Sequence, residues 1–311
     1  MNILVTGGAG FIGSHVSDAL VDQGHEVHVL DDLSSGRREQ VPDGAVLHVL
    51  DLRSSEAADL IRSHAFDILV HHAAQMDVRK SVADPGFDVE VNVLGFLNVM
   101  EAARDQGLQK VLFASTGGAI YGEPDYTPQD EEHPLRPLSP YGITKLTTEK
   151  YLHFYRHQYG IDAVVLRYAN VYGPRQNAHG DAGVVAIFSQ QMLDGKQPVI
   201  NGSGEQTRDY VYVGDVVRAN LAALDYGGSG VFNVGTGTEV SVNQLFRKIR
   251  AEANPETPMA HGPEKPGEQK RSVLGYERAE HELGWQPSVS IREGIPRTVD
   301  WFRARRDPVA A

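Results

Sequence analysis

The stretch Ile3-Leu-Val-Thr-Gly-Gly-Ala-Gly-Phe-Ile-Gly13 decides the fold. A short apolar run leads into glycines at positions 7, 10 and 13, and helical spacing follows through Ile12, Val16, Ala19 and Leu20. The pattern is that of a buried strand, a tight turn and a helix start. Gly7 permits the turn, Gly10 lets the backbone approach a pyrophosphate, and Gly13 lets the helix pack on the strand. The helix N-terminus offers unpaired N–H groups and partial positive charge to phosphates. The segment therefore predicts a bound dinucleotide.

Further along, residues 26–30 read as a second strand that ends at Asp31, 18 residues after Gly13. A carboxylate there accepts hydrogen bonds from the adenosine ribose and repels a 2′-phosphate, so NAD is expected over NADP. Asp32 competes for that role, and Arg37 and Arg38 are the kind of residue that can hold a 2′-phosphate instead. Asp51 and Leu52 follow a third strand, 45–50, where Asp51 either touches the adenine or is a plain loop aspartate.

Strands are also expected at 67–71, 110–114 and 163–168, with helices at 56–64, 88–104 and 141–159. This alternation predicts an α/β fold, a Rossmann-like doubly wound parallel sheet. After it the pattern loosens: polar loops at 174–183, 201–208 and 262–267, helices at 183–193 and 215–224, strands at 210–213 and 231–234, and a helical C-terminus. The expected organisation is a dinucleotide domain over 1–170 and a smaller mixed α/β domain over 171–311. A segment near 208–235 is expected to return to the first.

The 311 residues carry a net charge of −12, which argues against a nucleic-acid partner, because such binding needs a basic face. There is no cysteine, so disulfides, thiolate metal sites and cysteine nucleophiles are excluded. No apolar run reaches the ~18 residues of a membrane span. The N-terminus runs straight into a strand, so a cytoplasmic enzyme is expected. His71 and His72 adjoin at a strand end and point to opposite faces, a poor metal pair, so no metal is expected.

Tyr141-Gly-Ile-Thr-Lys145 opens the long helix, and a separation of four puts both side chains on one face. An ammonium stabilises a phenolate: at ~4 Å and an effective dielectric of about 20 the attraction is roughly 4 kcal/mol, or about three pK units. The pair is expected to trade protons near neutral pH.

Together these residues resemble the extended short-chain dehydrogenase/reductase family over nearly the whole chain. The resemblance is carried by Thr6 to His15, Asp31 to Gly36, His72-Ala-Ala-Gln75, Ser115 to Gly122, Ser139 to Lys145, Leu166 to Arg175, Arg208 to Val213 and Asn233-Val-Gly-Thr-Gly237. It implies that Phe11, Ile12, Asp31, Asp32, Leu33, Ser34, Ser35, Gly36, Asp51, Leu52, Ala73, Ala74, Gln75, Asn92, Tyr141, Lys145 and Tyr168 line an NAD site. It implies substrate contacts at Thr116, Tyr141, Asn170 and Val184, and a diphosphate contact at Arg208, where a guanidinium is the natural partner. The helices near 88–104 and 141–159 would pair two subunits into a homodimer.

The chain departs from the family pattern in places. A Ser/Thr run after the strand at 110–114 usually supplies a helper hydroxyl in its third position. Here the run is Ser115-Thr116-Gly117, which leaves Thr116 as first candidate and Ser115 as second. Gly117-Gly118 stands where related 4,6-dehydratases carry Asp-Glu, which disfavours that reaction. A second diphosphate arginine is replaced by Lys265, with Arg271 nearby, and a small residue, Ser272, aligns with the position that limits bulk at the sugar C2. The activity the resemblance implies is 4-epimerisation of a UDP-hexose between the glucose and galactose forms, N-acetyl forms included, with bound NAD. Alternatives are a uronate epimerase, a decarboxylase or a reductase of the same family, and more remotely a non-catalytic NAD-binding regulator.

Overall fold

The structure is a computed structural model, and it describes residues 1–178, 183–264 and 269–306. The strands are β1 (Asn2–Thr6), β2 (Glu26–Asp31), β3 (Ala45–Val49), β4 (Ile68–His71), β5 (Lys110–Thr116), β6 (Asp162–Tyr168), β7 (Asn170–Tyr172), β8 (Val199–Asn201), β9 (Thr207–Tyr212), β10 (Gly230–Val234), β11 (Glu239–Ser241) and β12 (Ala260–Gly262). The helices are α1 (Phe11–Asp22), α2 (Ser55–Ser63), α3 (Val78–Ala83), α4 (Pro85–Val89), α5 (Gly95–Ala103), α6 (Gly117–Ile120), α7 (Pro140–Tyr159), α8 (Val184–Leu193), α9 (Val213–Asp225), α10 (Val242–Ala253), α11 (Glu277–Leu283) and α12 (Ile291–Ala304). A π-helical turn, Glu90–Leu94, joins α4 to α5, so the single helix expected at 88–104 is a broken one.

Seven strands form one parallel sheet in the order β10-β6-β5-β4-β1-β2-β3. The run 3-2-1-4-5-6 within it is the doubly wound order, whose crevice opens where β1 and β4 diverge. Its strands read as nearly continuous apolar runs because both faces are covered. Ile3, Val5, Val27, Val29 and Val70 pack under α1 and α9, whereas Leu4, Leu30, Leu69, Val111 and Phe113 pack under α2, α5 and α7. Strand β10 lies at the far edge of this sheet beside β6.

A second core gathers Tyr172, Phe188, Ile200, Leu245, Phe246, Ile249 and Val299 around the three-stranded sheet β11-β9-β7. One expected boundary is corrected here, and several short elements have no counterpart among the expected ones. Residues 207–208 belong to β9, so the polar loop is shorter than 201–208, and Asn201 closes β8. Strands β7, β8, β11 and β12 span three residues each, too few to show a period. Helix α10, opened by a Ser241–Gln244 capping box, was absent from the sequence reading. Part of the expected loop 262–267, Lys265 included, lies outside the described residues. Among the described residues no helix is long and apolar enough to cross a membrane.

Candidate active site

The glycine turn sits at the carboxyl end of β1, pressed on the loop after β4. Gly7 has φ of +69°, and a Cβ there would lie 2.6 Å from the backbone N of Ala73. A Cβ on Gly13 would lie 2.2 Å from Gly7 O. Helix α1 carries no acidic residue in its first turn and no side-chain cap on Gly10, so its N-terminal field is left to an outside anion. Asp31 closes β2 and is 8% exposed. Its two carboxylate oxygens accept the N–H of Ala9 at 3.0 Å and of Leu33 at 2.9 Å, which ties the glycine turn to the following loop. Burial raises its pKa. Asp32 is exposed and accepts from Ser34, and Asp51 is engaged by Arg53. Gln75 and Asn92 bond each other, through Gln75 N to Asn92 Oδ1 at 2.8 Å. These groups fit a dinucleotide: a backbone cradle with no room for side chains, an uncapped helix end, and a carboxylate at the ribose distance in sequence.

Beside it opens a cleft of about 310 Å³ whose walls include Phe11, Ile12, Ser115, Thr116, Tyr141, Tyr168, Asn170 and Val184. Sequence reasoning missed Met76, Tyr172, Gln176 and Tyr210, which also line it. Arg208 does not line this cleft; its Nη1 donates to Thr207 O at 2.8 Å. Arg271 is exposed and bonded to Glu239 and Thr127, and Ser272 is buried beside β9 rather than in the cleft wall.

The two candidate hydroxyls separate cleanly. Ser115 Oγ donates to Glu149 Oε1 at 2.6 Å in a buried site, so it is committed. Thr116 stands at the N-cap of α6 without using its hydroxyl as a cap, and that hydroxyl has no partner among the described residues. Gly117 ends the run because a Cβ there would lie 2.4 Å from Leu274 Cδ1.

Helix α7 starts at Pro140, with Ser139 Oγ accepting from Gly142 N, and presents Tyr141, Lys145 and Glu149 one turn apart along one stripe. Lys145 Nζ donates to Ala114 O at 2.8 Å and lies 5.9 Å from the centre of the Tyr141 ring. Its pKa is lowered to about 8, chiefly by burial. The expected depression of the Tyr141 pKa is not found: burial raises it, and Asp88 raises it further. The ammonium bonds a backbone carbonyl rather than the phenol, and desolvation outweighs its pull.

The family model for the NAD dependent epimerase/dehydratase family matches residues 3–235. The chain belongs to that family. A putative UDP-glucose 4-epimerase of Methanocaldococcus jannaschii is 45% identical over 301 residues, covering 97% of this chain and 98% of that one. The UDP-glucose 4-epimerase of Mycolicibacterium smegmatis is 46% identical over 310 residues, covering 97% and 99%. Among solved structures, the UDP-glucose 4-epimerase of Thermotoga maritima with UDP-glucose superposes with a TM-score of 0.95 at 47% identity, covering 98% and 99%. That of Thermus thermophilus in complex with NAD gives 0.93 at 44%, covering 98% and 100%. The family's NAD dependence agrees with the cradle built by the glycine turn, α1 and Asp31.

Proposed function

We propose that the chain is a UDP-glucose 4-epimerase, an isomerase that interconverts UDP-glucose and UDP-galactose with tightly held NAD. One observation carries the reading: Tyr141 and Thr116, whose hydroxyls have no partner among the described residues, line one cleft with Phe11 and Ile12 of the dinucleotide turn. When bound, NAD supplies a hydride acceptor for the sugar C4 and a positively charged nicotinamide. Tyr141 Oη, ionised once the nicotinamide's positive charge adds to that of Lys145, takes the proton of the sugar O4–H and later returns it. Thr116 Oγ donates to O4 as charge develops there. Lys145, buried beside Tyr141, adds positive charge from its place on Ala114 O. Asn170 and Val184 of the cleft wall contact the nucleotide-sugar, and Arg208 of β9 is the cation offered to its diphosphate. Firm diphosphate binding with loose sugar binding lets the oxidised sugar present its other face.

The test is incubation of the purified protein with UDP-glucose or UDP-galactose and no added cofactor. Interconversion supports both the reaction and retained NAD. No conversion of any UDP- or dTDP-hexose, even with NAD supplied, sinks the reading. Running the UDP-N-acetylhexoses alongside decides whether the cleft admits an N-acetyl group at C2.

The same reading includes a homodimer built on α4, α5 and α7. Val89 of α4, Leu94 of the π-helical turn, and Ile143 and Phe154 of α7 are 42%, 54%, 51% and 45% exposed, apolar side chains that support pairing. Sedimentation at monomer mass would reject it. A cytoplasmic location also belongs to this reading, and cell fractionation tests it.

A further inference from the structure

Asp88 on α4 is fully buried. Its Oδ1 accepts from Gln75 Nε2 at 2.9 Å and from Asn92 Nδ2 at 3.2 Å, and its Oδ2 accepts from Thr144 Oγ1 at 2.7 Å. All three donors are neutral, and none of the described cations pairs with the carboxylate. It therefore knots three segments: the loop after β4, the π-helical turn, and the first turn of α7, where Thr144 directly precedes Lys145.

The charged groups that face Lys145 are few. Glu149 lies one turn along α7 and also favours the charged form of Lys145, while Arg167 of β6 grips it with Nε at 3.1 Å and Nη2 at 2.7 Å. His71 and His72 at the end of β4 are kept neutral by burial, with pKa values lowered to about 3. Asp88 is the carboxylate with the larger effect on Lys145, and its field favours the charged form of Lys145 and the neutral form of Tyr141.

We propose that Asp88 is a positioning residue that holds Lys145 in its ammonium form and ties that charge to the cofactor-facing loop through Gln75 and Asn92. The proposal rests on the assignment of Tyr141 and Lys145 as the proton-handling pair. A buried carboxylate without its own ion-pair partner acts on the buried ammonium of Lys145, the residue that follows its donor Thr144, and burial keeps water from screening the two.

The test is a pH titration of Lys145 by NMR in [13Cε]lysine-labelled full-length protein, purified with its cofactor. In Asp88→Asn the Lys145 midpoint falls by about one pH unit, and both limbs of the pH–rate profile move to lower pH. Thr144→Val removes a hydrogen bond and keeps the carboxylate, so it leaves the midpoint where the wild type has it. Should Asp88→Asn not fold, Asp88→Ser removes the same charge and is read the same way. An unmoved midpoint overturns the proposal, and so does an equal shift in Thr144→Val, which would mean packing rather than charge. Failure of the wild type to convert UDP-hexoses would instead strike the epimerase reading, and the NMR result would still decide the role of Asp88.

Discussion

Replacing Glu149 by glutamine tests the joint that aligns α7 with the sheet. The Glu149 carboxylate receives Ser115 Oγ at 2.6 Å, Arg167 Nε at 3.1 Å and Arg167 Nη2 at 2.7 Å, and Arg167 Nη1 in turn donates to Tyr121 Oη at 2.9 Å. Both charged side chains are 5% exposed. Glutamine keeps one oxygen for Ser115 and Nε but turns an amide N–H toward Nη2 and leaves a guanidinium buried without a counter-charge. Removing one partner of such a pair costs about 3–5 kcal/mol. For 311 residues the entropy of unfolding is roughly 0.65 kcal/mol/K, so the melting temperature should drop by about 5–8 °C. Arg167→Met should cost a similar amount for the mirror-image reason. The double variant carries no buried charge and should lose far less than the summed singles, with a drop of about 4 °C instead of about 12 °C. Melting followed by circular dichroism reads all four proteins at one scan rate. A double variant whose loss equals the sum would show that the two charges do not act as a unit, and would refute the reasoning.

Three further outcomes are expected. Tyr141→Phe should lower turnover by about 10²–10⁴-fold with bound NAD retained in the absorbance spectrum; loss of NAD would mean that Tyr141 positions the cofactor instead. Gly13→Ala should abolish cofactor retention and lower the melting temperature, because its Cβ would lie 2.2 Å from Gly7 O, a backbone atom that cannot step aside. Asp209, buried and held by Thr236, Leu274 and Gly237, has its pKa raised by burial from 3.8 to about 6. A raised carboxyl pKa contributes stability that is present below the unfolded value and lost as pH rises through the folded one. Urea unfolding should therefore show the wild type losing up to about 3 kcal/mol relative to Asp209→Asn between pH 4 and 7; a constant difference would exclude this.

The large sheet was legible because its strands are buried on both faces and carry their own apolar signal, from Ile3-Leu-Val in β1 to Val164-Val-Leu in β6. The short strands around the second core were not, since three residues hold no period. Helix α10 was readable after all: Val242, Leu245, Phe246 and Ile249 recur at helical spacing behind a Ser241–Gln244 cap, hidden only by the charged residues between them. At the site, the choice between Ser115 and Thr116 was also within reach. Successive strand residues point to opposite faces, and Glu149 shares the stripe of Tyr141 and Lys145, so one of the two hydroxyls had to meet a carboxylate. What sequence could not supply was the length of β9, which takes Arg208 out of a loop, or the backbone carbonyl of Ala114 as the seat of the Lys145 ammonium.

That seat changes how the tyrosine must be understood. At 5.9 Å from the ring and an effective dielectric of about 20, the Lys145 charge offers on the order of 3 kcal/mol, or about two pK units. Burial of the phenol and the negative charge of Asp88 oppose it, and the net direction for Tyr141 is upward. The pair is therefore not self-activating, whatever the Tyr-x-x-x-Lys spacing suggests. Asp88 serves Lys145 and burdens Tyr141 with the same field, so the arrangement favours a protonated phenol beside an ammonium until further positive charge enters the cleft. A site built this way keeps the Tyr141 phenol protonated by default through burial and the charge of Asp88, whose bonds to Thr144 and Gln75 reach from α7 to the loop after β4.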